Sequence, residues 1–230
     1  MLVLAAATVA LAGCSRQPAP PSQAGATAPA DTRVIPVADR PPATLVGIGD
    51  AAKGLFDAAV AADWRAASEW TMAISESASA LPSGLPKADL VGQLGSLVAA
   101  LKGHVTAHER IETMDYSNTV TRLVADLSAE FQTDVPYDAV MLGFYGRQLE
   151  LGIATVRPST LTQAVTDLRS TWNRLQPVLL QRGQTDEARR FTDVVVQLEG
   201  AKRPADFVAP TRAELTEADR IEKLFRSRTS

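Results

Sequence analysis

The fold class is decided by the stretch LTQAVTDLRSTWNRLQPVLL at residues 161–180. Its large apolar side chains recur at alternating steps of four and three residues: Leu161, Val165, Leu168, Trp172, Leu175 and Leu179. Steps of this size place all of them on one side of an α-helix, so the stretch predicts an amphipathic helix packed on a core. Pro177 should kink or end this helix near its last turn, because proline has no N–H to donate.

The same spacing appears on both sides of this stretch. One further stripe comprises Leu90, Leu94, Leu97, Leu101, His104, His108 and Ile111, and another comprises Ala188, Phe191, Val195 and Leu198. Asp63, Asn118 and the pair Thr211 and Glu214 have the residue types and spacing that begin helices. Strand-like alternation is absent from the sequence. The sequence therefore predicts an all-α fold, an antiparallel bundle of about seven helices joined by short loops.

Charge and composition indicate which classes of binding partner and activity to expect. The chain has 230 residues with 23 basic and 26 acidic side chains, and its formal net charge is −3. A nucleic-acid surface would require a basic face or cluster, so we expect no nucleic-acid partner. No serine-nucleophile elbow and no phosphate-binding glycine loop occur in the sequence. These observations disfavour catalysis and favour a binding role.

The amino terminus predicts export. Residues 1–13, MLVLAAATVALAG, form an apolar segment that ends in small residues and is too short to cross a membrane as a helix. The last three residues of this segment and the cysteine that follows, Leu11-Ala12-Gly13-Cys14, resemble the lipobox of bacterial lipoproteins. The resemblance implies that 1–13 is a signal peptide and that Cys14 carries the lipid that attaches the chain to a membrane. It also implies an extracytoplasmic location, periplasmic or facing the outer membrane.

The segment after Cys14 predicts a tether. Residues 14–43 are rich in Pro, Ala, Ser and Gly and contain few large apolar side chains. Such a segment cannot bury enough surface to offset the entropy of ordering it, so we expect it to be disordered. The helical domain is then predicted to span residues 44–230.

The two histidines of the chain, His104 and His108, are four residues apart and share the stripe of Leu101. Two imidazoles on the core face of a bundle helix are a pattern that can bind a transition metal or haem. Completing ligands would come from a facing helix, with Asp126, Glu130 and Glu150 as candidates by type. The alternative is that this end of the helix leaves the core and both histidines are structural, because acidic residues crowd the same region.

A second candidate site is the segment DVPYDAVMLGFYGRQLE at residues 134–150. Tyr137, Tyr145 and Arg147 could line a pocket for an anionic or aromatic ligand. Gly143 and Gly146 lie inside a predicted helix, where each costs about 1 kcal/mol relative to alanine, so a ligand or a close helix should require them. The alternative is tight packing with an ordinary surface ion pair between Arg147 and Glu150.

The sequence as a whole predicts a lipid-anchored protein of the cell envelope. Its helical bundle would bind a ligand or a partner protein of the envelope and would not be an enzyme. The alternative is a metal- or haem-binding bundle that uses His104 and His108.

Overall fold

The computed structural model describes residues 40–227, and every regular element in this range is an α-helix. The eight helices are α1 (Ala43–Val60), α2 (Trp64–Ser79), α3 (Ala88–Thr106), α4 (Arg110–Ser128), α5 (Tyr137–Ala154), α6 (Pro158–Gln181), α7 (Thr185–Gly200) and α8 (Pro204–Arg226). The predicted all-α class is confirmed, with eight helices in the described part of the chain. The predicted signal peptide, Cys14 and all of the predicted tether before residue 40 lie outside the described residues.

Four of the connections between helices share one three-residue form. Their middle residues have a left-handed backbone: Ala62, His108, Val156 and Gly183. The residue that follows donates its N–H to a carbonyl five positions back, as Asp63 does to Ala58 at 2.9 Å. This pattern closes the end of one helix and reverses the chain within a few residues. Antiparallel packing of neighbouring helices follows from these turns.

The first four helices form one bundle. Helix α1 packs on α2 and α4, and α3 completes the ring by packing on the same two helices. Asp63 begins α2 as predicted, since its carboxylate accepts the N–H of Ala66 at 3.0 Å. The centre of this bundle is aliphatic and includes Leu45, Ile48, Leu55, Ile74, Leu94, Leu101, Leu123 and Leu127.

The last four helices form a second bundle with the same ring of contacts, α5 with α6 and α8, and α7 with both α6 and α8. Its core holds the stripe of residues 161–179 together with large side chains from the other helices, among them Leu142, Leu149, Phe191, Ile221 and Phe225. The ring of Trp172 lies 4.6 Å from the ring of Phe191 between centroids, and its indole N–H donates to Thr192 at 3.1 Å.

Helix α6 runs through Pro177 and ends at Gln181, about one turn later, so the proline lies near the last turn as the sequence predicted. Leu175 and Leu179, on either side of it, are both buried in the second core. Their burial holds the last turn in place although one backbone hydrogen bond is missing there.

Two helix starts that the sequence predicted are wrong. Asn118 lies in the middle of α4, and its side-chain amide donates to the carbonyl oxygen of Phe144 on α5 at 3.1 Å. The local sequence cannot distinguish an asparagine that bridges two helices from one that caps a helix, because both roles need the same short amide side chain.

The predicted capping box of Thr211 and Glu214 is also inside a helix. Helix α8 begins at Pro204, two turns earlier, where the carboxylate of Asp206 accepts the backbone N–H of Arg203 at 2.9 Å. Thr211 and Glu214 have the spacing of a cap, but both are buried along α8.

The two bundles meet through four helices. Helix α4 packs on α5, and an ion pair joins α1 to α8. Helices α1 and α5 run in one direction and α4 and α8 run in the other, so the contact between the bundles has two ends. One end lies near Val46 and Arg226, and the other lies near Val60 and Thr211.

Candidate functional site between the two bundles

The contact between the bundles contains several of the buried polar side chains of the described chain. We call it the seam and define it by Lys53 on α1, Asn118 on α4, Arg147 on α5, and Glu214 and Glu222 on α8. Buried polar groups are costly unless they are hydrogen-bonded, and cores avoid them for that reason. A concentration of such groups in one layer of the fold therefore marks this layer as a candidate site.

Glu214 is the most unusual member of the seam. Its side chain is fully buried, and neither carboxyl oxygen has a hydrogen-bond partner among residues 40–227. Burial raises the pKa of this carboxyl well above its usual value, although the positive charge of Arg147 acts in the opposite direction. Burial acts in this direction because desolvation penalises the charged form of the acid.

Arg147 is the positively charged member of the seam whose charge acts on Glu214. It is 4% exposed, its Nη1 donates to the carbonyl oxygen of Gly143 at 3.1 Å, and its Nε has no partner in the described range. Its guanidinium carbon stands 5.8 Å from the centre of the Phe56 ring, a cation–π distance. The guanidinium is thus held by one carbonyl and one ring, and part of its hydrogen-bonding capacity stays unused.

Gly146 allows α8 to approach α5 this closely, and Gly143 leaves room for a side chain of its own helix. A Cβ atom at Gly146 would overlap the carboxylate of Glu214 and would lie 2.7 Å from the Cδ2 of Leu215. A Cβ atom at Gly143 would lie 3.1 Å from the Nη1 of Arg147. The sequence prediction of close helix approach is confirmed at Gly146. At Gly143 the nearest atom belongs to Arg147 of the same helix.

An ion pair closes the seam between α1 and α8. The Nζ of Lys53 donates to both carboxylate oxygens of Glu222 at 2.7 Å, and both side chains are largely buried. Arg226 adds a contact to Asp50 at 3.1 Å and a longer one to Glu222 at 3.5 Å. Breaking a buried pair leaves an uncompensated charge, so this pair fixes the position of α8 against α1.

A groove opens at the end of the seam where α1, α4 and the start of α5 meet. Its volume is about 330 Å³, within the range of small-ligand sites. The walls are mainly apolar: Pro41, Val46, Gly49, Val124, Ala125, Val135 and Val140. Lys53, Tyr137 and Arg226 also line this cavity. We call this cavity the groove.

A smaller pocket of about 200 Å³ opens at the opposite end of the seam. It is lined by apolar side chains of all four seam helices and by Arg110, Glu150, Thr211 and Arg212. We call this cavity the arginine pocket.

The predicted histidine pair does not lie on a core face. Helix α3 ends at Thr106, and His108 occupies the left-handed position of the turn that follows. Histidine tolerates this conformation better than most residues, and the turn removes it from the stripe of Leu101. The prediction of one helical stripe through both histidines and Ile111 is therefore wrong.

Each histidine has a partner of its own. The Nδ1 of His104 lies 2.6 Å from a carboxylate oxygen of Glu109, and the ring of His108 stacks on Trp64 with 4.7 Å between centroids. Within residues 40–227 no group of three or more His, Cys, Asp or Glu side chains has an arrangement that could hold a metal ion.

The three acids that the sequence suggested as completing ligands are engaged elsewhere. Glu130 pairs with Lys87, Asp126 accepts the hydroxyl of Tyr137, and Glu150 lines the arginine pocket. Metal or haem binding by His104 and His108 stays a prediction.

The predicted trio of Tyr137, Tyr145 and Arg147 does not line one pocket. Tyr137 lies at the groove, Tyr145 packs between Phe144 and the second core, and Arg147 points into the seam. Residues on one helix that are two or more positions apart can face different neighbours, and α5 is surrounded by three other helices. Arg147 is buried, so the expected surface ion pair with Glu150 is also wrong.

Glu214 was not among the site residues predicted from the sequence, although the sequence contains a signal for it. The buried side chains of α8 recur at steps of four and three: Phe207, Thr211, Glu214, Ala218, Ile221 and Phe225. A glutamate and a threonine at positions of an otherwise apolar stripe predict polar groups inside the fold. The apparent capping box at the same residues concealed this pattern.

Comparisons of the chain with protein-family models, with curated proteins and with solved structures gave no match. No helix among residues 40–227 is both long enough and apolar enough to cross a membrane.

Proposed function

We propose that this protein is a lipid-anchored binding protein of the cell envelope whose groove takes a small apolar ligand without chemical conversion. The anchoring part of the proposal rests on the resemblance of residues 11–14 to a lipobox. The binding part rests on one observation, the apolar groove of about 330 Å³ at the junction of the two bundles.

The lining of the groove supports an apolar ligand. Val46, on α1, is 41% exposed and belongs to a continuous apolar wall with side chains of α4 and α5. A concave apolar surface gains free energy by losing its contact with water, at about 25 cal/mol per Å² of buried area. The groove therefore offers an apolar molecule a larger gain than the isolated exposed side chains elsewhere on the helices.

The construction of the groove supports binding to a preformed site. Its walls belong to helices of both bundles, and the ion pair of Lys53 and Glu222 holds two of those helices together. A site on rigid helices loses less entropy on binding than a site on loops. We expect the helices around the groove to move little when the ligand binds.

The test is binding of the neutral fluorescent dye N-phenyl-1-naphthylamine to the full chain. Val46→Asp places a charge in the apolar wall, and Ala129→Trp fills the groove from its exposed rim. The matched control is Val196→Asp, because Val196 is 55% exposed on α7 and lies outside the groove. We expect both groove variants to reduce the dye signal severalfold and the control to leave it unchanged.

Two outcomes would contradict the proposal. The first is a wild-type chain that gives no more dye fluorescence than buffer, and the second is equal loss of signal in Val46→Asp and Val196→Asp. Stoichiometric transition metal or haem in the purified chain, lost in a His104→Ala/His108→Ala variant, would support the alternative function instead.

A further inference from the structure

The arginine pocket contains two cations that form no hydrogen bond and no ion pair within residues 40–227. Arg110 is the first residue of α4, Arg212 lies on α8, and both line the pocket of about 200 Å³. The other arginines near the seam behave differently, since Arg147 donates to Gly143 and Arg226 pairs with Asp50. Two guanidinium groups that converge on one concave space without an acidic partner within ion-pair distance are suited to an anion.

A buried hydroxyl adds an independent observation. Thr211 lines the same pocket and is 1% exposed, and its Oγ1 has no hydrogen-bond partner in the described chain. An unsatisfied buried hydroxyl costs roughly 1–3 kcal/mol, so a polar atom that reaches it would relieve this cost. A hydroxyl can donate to an anion, and Thr211 and Arg212 both line the pocket.

The remaining walls of the arginine pocket are apolar. They come from Val60, Met114, Ile153, Ala154 and Val208, one or more from each of the four seam helices. A bare inorganic anion would leave this surface in contact with water or empty space. A ligand with a short branched hydrocarbon body would cover it.

We infer that the arginine pocket is a second binding site, for a small carboxylic acid with a short apolar body. Its carboxylate lies between Arg110 and Arg212 and accepts the hydroxyl of Thr211, and its hydrocarbon part lies against Met114 and Val208. This site is at the opposite end of the seam from the groove and does not depend on the function proposed for the groove.

Glu150 determines how this site responds to pH. It lines the pocket from α5, and its pKa is raised first by burial and next by the negative charge of Asp57 on α1. Arg147, Arg212 and Arg110 act in the opposite direction. A charged Glu150 would repel a carboxylate, and a protonated one can donate a hydrogen bond to it. Binding should therefore strengthen as the pH falls, down to the pKa of the ligand's own carboxyl group.

The test is calorimetric titration of the full chain with isovalerate, whose carboxylate and branched body match the two halves of the pocket. Inorganic phosphate supplies an anion without the apolar body, and 3-methylbutanol supplies the body without the charge. We expect saturable one-to-one binding of isovalerate that is at least tenfold tighter than binding of either of the other two.

Variants assign each role. Arg110→Gln/Arg212→Gln should weaken isovalerate binding at least tenfold, and both side chains are exposed enough for the fold to tolerate the change. The matched control is Arg122→Gln, an exposed arginine on α4 outside the pocket, which should leave the affinity unchanged. Thr211→Val should weaken binding severalfold although it removes an unsatisfied hydroxyl. Glu150→Gln should bind isovalerate at least as tightly as the wild type.

Three results would overturn the inference. They are unchanged affinity in Arg110→Gln/Arg212→Gln with intact helical circular dichroism, equal affinity for isovalerate and 3-methylbutanol, and tighter binding of phosphate than of isovalerate. Loss of binding in Glu150→Gln would also overturn it, because a neutral side chain at this position should favour an anion. Failure of the dye test at the groove would not change any of these outcomes.

Discussion

The interiors of the two bundles and the seam between them differ in the polarity of their buried side chains. Each bundle interior is a continuous apolar core, in which Trp172 and Leu101 have no exposed surface. The seam is equally buried at Glu214, Arg147 and Glu222, but its side chains are polar and several of their atoms have no partner in the described chain. The apolar cores stabilise the fold, whereas the buried polar atoms without partners in the seam lower its stability locally. Proteins concentrate such penalties where they bind or react.

The largest expected effect is in a bundle core. Trp172→Ala should lower the free energy of unfolding by about 3–5 kcal/mol, because it leaves a cavity against Phe191 and removes the hydrogen bond to Thr192. Urea denaturation followed by circular dichroism measures this loss. Trp70→Ala is the control, since Trp70 is 41% exposed and should cost clearly less. Equal losses in the two variants would remove the distinction between core and periphery.

The next effect tests the close approach within the seam. Gly146→Ala should lower the free energy of unfolding by about 1–3 kcal/mol, because the new methyl group meets the carboxylate of Glu214 and the side chain of Leu215. Gly95→Ala is the control, with nothing within 4 Å of its added Cβ on an exposed part of α3.

The two glycine variants should change stability in opposite directions. Gly95→Ala should raise the unfolding free energy by up to about 1 kcal/mol, since alanine favours a helix more than glycine does. The double variant Gly146→Ala/Glu214→Ala should recover part of the loss, because it clears the space that the methyl group needs. A Gly146→Ala protein as stable as Gly95→Ala would show that α8 can move away from α5 freely.

The smallest expected effect is a dependence of stability on pH that comes from Glu214. Its folded-state pKa is raised above the unfolded value, so the folded chain keeps a proton that the unfolded chain loses. The stability that this group contributes is fully present below the unfolded pKa of about 4.3 and falls as the pH rises toward the folded pKa. Glu214→Gln removes this contribution.

Unfolding free energies of both proteins, measured from about pH 4 to about pH 7, isolate this contribution from other titrating groups. Glu150 has a raised pKa and Arg147 and Asp219 act on Glu214 through their charges, but all of these are present in both proteins. The stability difference between wild type and variant should move against the wild type as the pH rises. A difference that stays constant over this range would contradict a raised pKa of Glu214.

Much of the fold could be predicted from the sequence because helices and short turns are local. The stripe of residues 161–179 predicted α6, and Asp63 predicted the start of α2. The predictions from the sequence were wrong where one local pattern of residues is compatible with two different structures. Asn118 resembles a cap and bridges two helices, and His108 continues a helical spacing and occupies a turn. Only contacts distant in the chain decide between these uses.

The candidate sites were less predictable than the fold. Tyr137, Tyr145 and Arg147 are close in sequence, but α5 is packed on several sides and directs them to different neighbours. The residues that do come together are distant in the chain, as Lys53 and Glu222 are. Arg110 and Arg212 converge in the same way, from two helices about half the chain apart.

By itself the sequence determined that the described chain is helical and which stripes of each helix are apolar, because the period of a helix is fixed by backbone geometry alone. The sequence also carries the lipobox-like segment, which no contact in the folded domain is needed to define. The tertiary structure alone decided that eight helices form two bundles with a polar seam. It also placed a groove and an arginine pocket at the two ends of that seam. The physical reason is that burial, ion pairing and cavity shape depend on which helices are neighbours, and this choice is made by the sum of many packing contacts.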